Sequence, residues 1–512
     1  MSLSIPVSIV AGVVLTLSAA GSIAAQSRSS SNGLADSYAR ARAVVDSALV
    51  AHGGLDALRA ATRFTQRMEG HDVWRNQSRR VEPPYDTEPA TGTVALDLPQ
   101  GRFVWTATSA FPGGFKNASR TVIDGARGFS ANLRQRTYVN VPNRNVWTQR
   151  GVLYRFPHMV LLSVLDDAAS LRWIGDLTVN GERVRAVTVA TPQGQQLTLG
   201  FDPSSKLLRS MSSMIADPLA GDIPNETTFS DYRRSGSLMI PGKRVVRWGG
   251  EEMSEYRYGD LTVGAAIPDS LLAPPAGFAE APPPPQTPPV KELGPGVWDV
   301  RGGGYHALVV AFNDHMFVME APGGGSAEII ARVKELAAGK PIRYVAPTHH
   351  HDDHAGGMRD FIAEGATIIT TTGNRAYFER MGNARRTISP DAQALRPQPV
   401  RIETISGKRR VLTDGSRTVE LIDIGPSPHA NEMLVAWLPA EGILFQGDLL
   451  NLGGRVFPTT ANLTTAHFAD WVKRSGLPVR TIAGVHMDPG PASQLEEAVS
   501  QARAAGELPP TR

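Results

Sequence analysis

Residues 348–357 read THHHDDHAGG. His349, His350, His351, Asp352, Asp353 and His354 follow one another, so four of the chain's 12 histidines share one short stretch. Imidazole and carboxylate are the groups that bind zinc where sulfur is lacking, and this chain has no cysteine. On an extended or tightly turning segment His349 and His351 point the same way and His350 points away. Asp353 and His354 come one turn later and can address a second point nearby, so one loop can serve two adjacent metals. Gly356 and Gly357 let the backbone turn close beside them. The competing reading is a solvated polar turn. An apolar strand before the cluster and an Ala-Gly-Gly turn after it fit a metal loop better.

Such a cluster needs elements to aim it. IRYVAPT reads as the strand that delivers it, and VWDV, HALVVAF and HMFVMEA as strands before it. SAEIIARVKELAAG reads as an amphipathic helix with Ile329, Ile330, Val333 and Leu336 on one face. TVELIDIG, MLVAWLP, GILFQG and RTIAGV read as later strands, and a final helix spans about Ser493 to Ala505. Alternating strands and helices make a layered α/β domain. Beside these strands stand His429 in GPSPHANEMLVAWLP, Asp448 in GILFQGDLL and His486 in IAGVHMDPG.

T-H-x-H-x-D-H-x-G-G, here Thr348, His349, His351, Asp353, His354, Gly356 and Gly357, is similar to the signature loop of the metallo-β-lactamase superfamily. The segments holding His429, Asp448 and His486 match its later motifs in order. The resemblance implies an αββα metallo-β-lactamase-like sandwich over residues 291–512. It implies two zinc ions, with iron or manganese as alternatives. His349, His351 and His429 would hold one metal, Asp353, His354 and His486 the other, and Asp448 would bridge them. A bridging hydroxide would attack a carbonyl or similar electrophile. Asp353 would also be catalytic, orienting the nucleophile and moving a proton. The family's usual aspartate after the second strand is Glu320 here. His350, Asp352, His306, His315 and His467 are expected in supporting or surface roles. Tyr377, Arg455 and Phe457 lie in segments within reach of a substrate, but packing or surface is the expectation for each.

Absences narrow the branch. Lactamase subclasses with a cysteine ligand do not fit a cysteine-free chain, and another subclass lacks the bridging aspartate. Diiron flavoproteins usually carry glutamate where this chain has His351. Glyoxalase II enzymes append a helical domain, whereas 26 residues follow His486. The expectation is a hydrolase of a small ester, lactone, thioester or lactam. The alternatives are a phosphodiesterase, or a lipid- or hydrophobic-ligand-binding envelope protein with an accessory metal domain.

The first half differs in texture. Met1 to Ser27 holds no charged side chain, and its apolar core is followed by SIAAQ. This predicts a signal peptide over residues 1–25, with an uncleaved membrane anchor as the alternative, and hence a periplasmic or secreted protein. Residues 26–35 read as a flexible tether. A helix follows from about Asp36 to His52, then LDALRAA as a short one. TGTVALDL, RFVWTATS, RVRAVTVAT, QQLTLGF and RVVRWGG alternate apolar and polar residues, the pattern of an antiparallel sheet with one solvated face. A helical interruption is expected near Leu153–Leu171. AHGGLDALRAATRF, LTLGFDPSSKLL and SDYRRSGSLMIPGKRVV resemble the periplasmic lipoprotein-carrier (LolA-like) family, which implies a curved α+β sheet domain over residues 36–273. Residues 274–290 read as a proline-rich linker. The net charge of +3, without a basic run, gives no sign of nucleic acid. The expected partner is a small-molecule substrate, with lipid or membrane-surface contact as an addition.

Overall fold

The computed structural model describes residues 33–112, 115–141, 150–191, 194–281, 289–451 and 461–509. The leader, most of the tether, part of the proline-rich segment, Arg455 and Phe457 lie outside the described residues. Among the described residues no helix is long and apolar enough to cross a membrane.

Helix Gly33–Ala51 buries Ala41, Val45, Ala48 and Leu49, the stripe of an amphipathic helix. It starts at Gly33, so the end of the segment read as a tether is helical. Gly53 terminates it at φ 123° against the Ser237 carbonyl, where any side-chain carbon would collide. Helix Leu55–Ala60 follows. Fourteen strands then form one sheet. The five alternating segments named above lie on its strands Thr87–Asp97, Arg102–Phe111, Glu182–Ala190, Gln196–Phe201 and Lys243–Trp248. The opening strand, Arg63–Val73, is paired on one side with Thr87–Asp97 and on the other with Glu251–Val263. Helix Pro157–Asp166 falls in the expected interruption, and its Val160, Leu161 and Val164 share a core with Phe64, Met68 and Phe103. A single cavity is lined by every strand from Arg102–Phe111 across to Gln196–Phe201, so the sheet bends around it.

The proline-rich segment is not wholly apart from the sheet. Ala279–Glu280 adds a short parallel edge strand beside Thr137–Asn140, and Val290 already opens the next sheet. An edge strand needs only one ladder, which the non-proline residues of GFAEA supply.

The second half packs a seven-stranded sheet against a six-stranded one. Leu308, Val310 and Phe317 of the first meet Leu421, Ala436 and Phe445 of the second in one core. Helices Ser326–Leu336 and Met358–Ala363 cover the outer face of the first sheet. Helices Leu463–Ser475 and Ser493–Ala504 cover that of the second. Ile329, Ile330 and Val333 are buried as the helix pattern predicts, and Leu336 packs at the margin.

The two halves interlock. Leu219, between strands Leu208–Asp217 and Gly221–Ser230, is 5% exposed and joins the cluster of Met358, Phe361 and Met381. Beside it, the Asp222 carboxylate accepts from the Thr387 backbone and hydroxyl, each at 2.6 Å.

Candidate metal centre

Strand Ile342–Ala346 ends just before Thr348, and the helical turn Asp352–Ala355 carries Asp353 and His354. His349, His350, His351 and His354 are all buried. Gly356 and Gly357 have ordinary negative φ angles. What they provide is close approach: a side chain at Gly357 would collide with Ser326, and one at Gly356 with the Asp352 carbonyl. His429 lies between strands Thr418–Asp423 and Leu434–Leu438. Asp448 follows strand Ile443–Gln446, and His486 sits in the turn between Thr481–Gly484 and Met487–Pro491.

All seven expected donors converge, in two groups that share Asp448: His349, His351, His429 and Asp448, then Asp353, His354, His486 and Asp448. Asp448 Oδ2 lies 3.0 Å from His429 Nε2 and 4.0 Å from His349 Nε2. Its Oδ1 lies 3.0 Å from His354 Nε2 and 2.9 Å from His486 Nε2. Asp353 Oδ2 stands 3.3 Å from His486 Nε2 and 3.6 Å from His354 Nε2. His429 Nε2 and His349 Nε2 are 3.1 Å apart. A tetrahedral ion with ligands at about 2.0–2.1 Å would leave its donors about 3.3 Å apart, so these spacings fit a common cation in each group. His351 Nδ1 is buried with no hydrogen-bond partner among the described residues, which leaves its lone pair free for a cation.

The other ring nitrogens show how the imidazoles are turned. Thr348 Oγ1 is 3.0 Å from His349 Nδ1 and 3.3 Å from His354 Nδ1. Glu320, fully buried, sets Oε1 3.4 Å from His354 Nδ1 and accepts from the Thr348 backbone at 3.3 Å. The glutamate that departs from the family's aspartate thus meets His354 directly. It does so at φ 94°, a conformation that a non-glycine residue keeps only when its surroundings enforce it. Tyr377 OH donates to the His350 carbonyl at 3.0 Å, which makes it a support of the loop.

Two contacts come from the first half of the chain, and sequence reasoning missed them. Gln77 Nε2 donates to Asp352 Oδ1 at 2.7 Å and to Asp353 Oδ1 at 2.8 Å. His351 Nε2 faces the Ser78 carbonyl at 2.9 Å. Asn431 N donates to the Arg79 carbonyl at 2.9 Å, and Arg380 pairs with Glu82, tying the same loop down. Of the remaining histidines, His306 pairs with Asp299 at 2.8 Å and His315 with Asp314 at 2.6 Å, outside both groups. His467 is half-buried on helix Leu463–Ser475.

Charge follows from this packing. Burial and the neighbouring imidazoles of His354, His351 and His429 hold His349 well below the ordinary histidine value. Burial likewise pushes His351 down. Burial opposes charge on Asp448, but His354, His486 and His429 outweigh it and keep the carboxylate ionised. Burial also opposes charge on His486, and there Asp448 and Asp353 prevail, raising it to about 9. The site therefore offers neutral imidazoles at His349 and His351 and an anionic carboxylate at Asp448, as cation binding requires.

Residues 322–486 match the family model described as "Metallo-beta-lactamase superfamily". The C-terminal region carries a metallo-β-lactamase superfamily domain. A hydroxyacylglutathione hydrolase of Erythrobacter litoralis is 32% identical over 130 residues, which span 24% of this chain and 40% of that protein. Among solved structures, a metallo-β-lactamase from Pontibacter korlensis is 19% identical, covering 42% of this chain and 98% of its own, with a TM-score of 0.32. The FIM-1 metallo-β-lactamase from Pseudomonas aeruginosa is 20% identical, covering 44% and 99%, with a TM-score of 0.32. The matched residues contain all seven of the converging histidines and aspartates, and His486 is the last residue of the match.

Proposed function

We propose that the chain is a hydrolase with two metal ions, zinc in the first instance and iron or manganese as alternatives. Its substrate would be a small ester, lactone, thioester or lactam met outside the cytoplasm. The observation that carries this is the division of Asp448: one oxygen faces the His349, His351 and His429 group, the other faces His354 and His486. His349, His351 and His429 would hold one ion and Asp353, His354 and His486 the other. Bound there, the ions supply an activated water and polarise the attacked carbonyl. Asp353 has one oxygen toward the second group and the other held by Gln77. It is therefore held in one orientation at the second group, where it would orient a water and pass a proton to the leaving group. The match to a hydroxyacylglutathione hydrolase supports hydrolysis. The uncharged leader supports export, and the lipoprotein-carrier resemblance supports a ligand-handling role for the first domain.

The test is a panel of a chromogenic β-lactam, an acyl-homoserine lactone, a thioester and a bis-phosphodiester, each with and without chelator. Chelator-sensitive turnover of a carboxylic substrate is expected, and its loss in His351→Ala and Asp448→Ala proteins that stay folded. Turnover of the phosphodiester alone, or about a tenth of the parental rate remaining in either variant, would overturn the reading.

A further inference from the structure

The concave side of the first domain encloses a cavity of about 740 Å³, ample for a drug-sized molecule. Alternate residues of the strands face into it: Arg244, Val246 and Trp248 from one, Trp105, Ala107 and Ser109 from another. Trp105 packs against Gly92, where any side-chain carbon would collide with the indole. Trp74 and Tyr256 add further aromatic wall. At one end the cavity reaches Gln77 and Asp352, so it shares a wall with the metal loop.

Two guanidinium groups stand in this wall. Arg155 lies 4.9 Å over the Trp105 ring and Arg244 5.2 Å over Tyr256. Arg244 is 5% exposed, and its Nε has no hydrogen-bond partner. Among the described residues neither arginine makes an ion pair, whereas nearby Arg75 pairs with Glu251 at 3.0 Å. The acidic groups that face the cavity are engaged: Asp72 accepts from Tyr256 OH at 2.9 Å and Asp352 from Gln77. Burial, then the charge of Arg244, lowers Arg155 to about 10, still cationic at neutral pH. Trp74 Nε1, Tyr154 OH and Asn225 Oδ1 are also buried in this lining without partners. A folded protein rarely leaves so many polar atoms unmatched in one place unless something else meets them.

We propose that this chamber binds an anionic amphiphile, its oxyanion between Arg155 and Arg244 and its apolar body against Trp105 and Trp248. Paired guanidinium donors suit a carboxylate or similar oxyanion, and the tryptophan faces suit an aryl or acyl body. The inference goes beyond the hydrolytic reading, because occupancy is measured without turnover.

The experiment uses the full chain loaded with zinc and titrated with anilinonaphthalene sulfonate, read by fluorescence. The probe is then displaced with 4-phenylbutyrate or its neutral amide. The acid should compete at least about tenfold better than the amide. Arg155→Gln and Arg244→Gln should each erase that preference, and Trp105→Leu, with both arginines kept, should weaken acid and amide alike. Asp448→Asn, which disturbs the metal centre and not the chamber, should leave the preference intact. Equal competition by acid and amide, a preference that survives both arginine changes or disappears with Asp448→Asn, or no displacement at all would each overturn the proposal.

Discussion

His351 turns its Nε2 to the carbonyl oxygen of Ser78, 2.9 Å away and 273 residues earlier in the chain. That contact settles which ring nitrogen faces the cluster, because a neutral imidazole that donates from Nε2 presents a lone pair at Nδ1. The candidate metal site is therefore in contact with the first domain, through a loop that Gln77 anchors to Asp352 and Asp353.

Gln77→Ala should weaken metal binding about 10–100-fold, the usual effect of losing a group that orients a ligand. Competition against a chromogenic chelator measures it. Unchanged affinity would mean that the loop only rests against the site.

Glu320 is the carboxylate nearest His354 Nδ1. Glu320→Ala should lower metal affinity by a similar factor, and Glu320→Gln, which keeps an acceptor oxygen, should recover much of it. The amide keeps the shape of the side chain and one acceptor oxygen toward His354 and the Thr348 backbone. Equal loss in both variants would show that the charge, rather than the acceptor, holds His354.

Gly447 lies directly against Thr348. An added side-chain carbon would collide with Thr348 Oγ1 and stand 3.3 Å from His349 Nδ1. Gly447→Ala should therefore abolish most activity while circular dichroism and the unfolding midpoint change little. A fully active alanine variant would show that Thr348 can yield without turning the imidazoles.

The first domain should be acid-sensitive. His52 is fully buried, its Nδ1 donates to Ala48 O at 2.9 Å, and its Nε2 faces the Leu208 amide at 3.5 Å. Burial lowers it from 6.5 to about 4. Above 6.5 the imidazole is neutral in both folded and unfolded chains, so stability does not depend on it. As the pH falls from 6.5 towards 4, the unfolded chain takes up a proton that the fold refuses. His52 then costs on the order of 3 kcal/mol, levelling off below about pH 4. His158, lowered to about 3 by burial, acts in the same direction. Urea unfolding at about pH 7 and about pH 4.5 checks this; a His52→Gln protein should lose less stability between them than the parent.

The candidate site was legible in two ways: His349, His351, Asp353 and His354 from the residue types and spacing of one turn, and His429, Asp448 and His486 from the family resemblance, and the fold brings all seven together. Ser78 was not, because it contributes a backbone carbonyl, which every residue carries. Gln77 was not, because one amide in a polar loop has no period or partner in the sequence to mark it. The strands were legible from alternation and the long helices from their apolar stripes. The edge pairing of Ala279–Glu280 was not legible, because it depends on strand Thr137–Asn140, distant in sequence.

Strand Arg63–Val73 carries Phe64 opposite Val263 and Asp72 opposite Ser254. The sheet thus has a seam in its middle that cannot zip until nearly the whole first domain has been synthesised, a high-contact-order closure of the kind that folds slowly. Until then, both half-sheets expose open backbone edges that invite pairing with other chains. The loop that reaches His351 hangs from the end of this seam. The candidate metal site thus leans on a loop whose position depends on pairing the two ends of the first domain's chain.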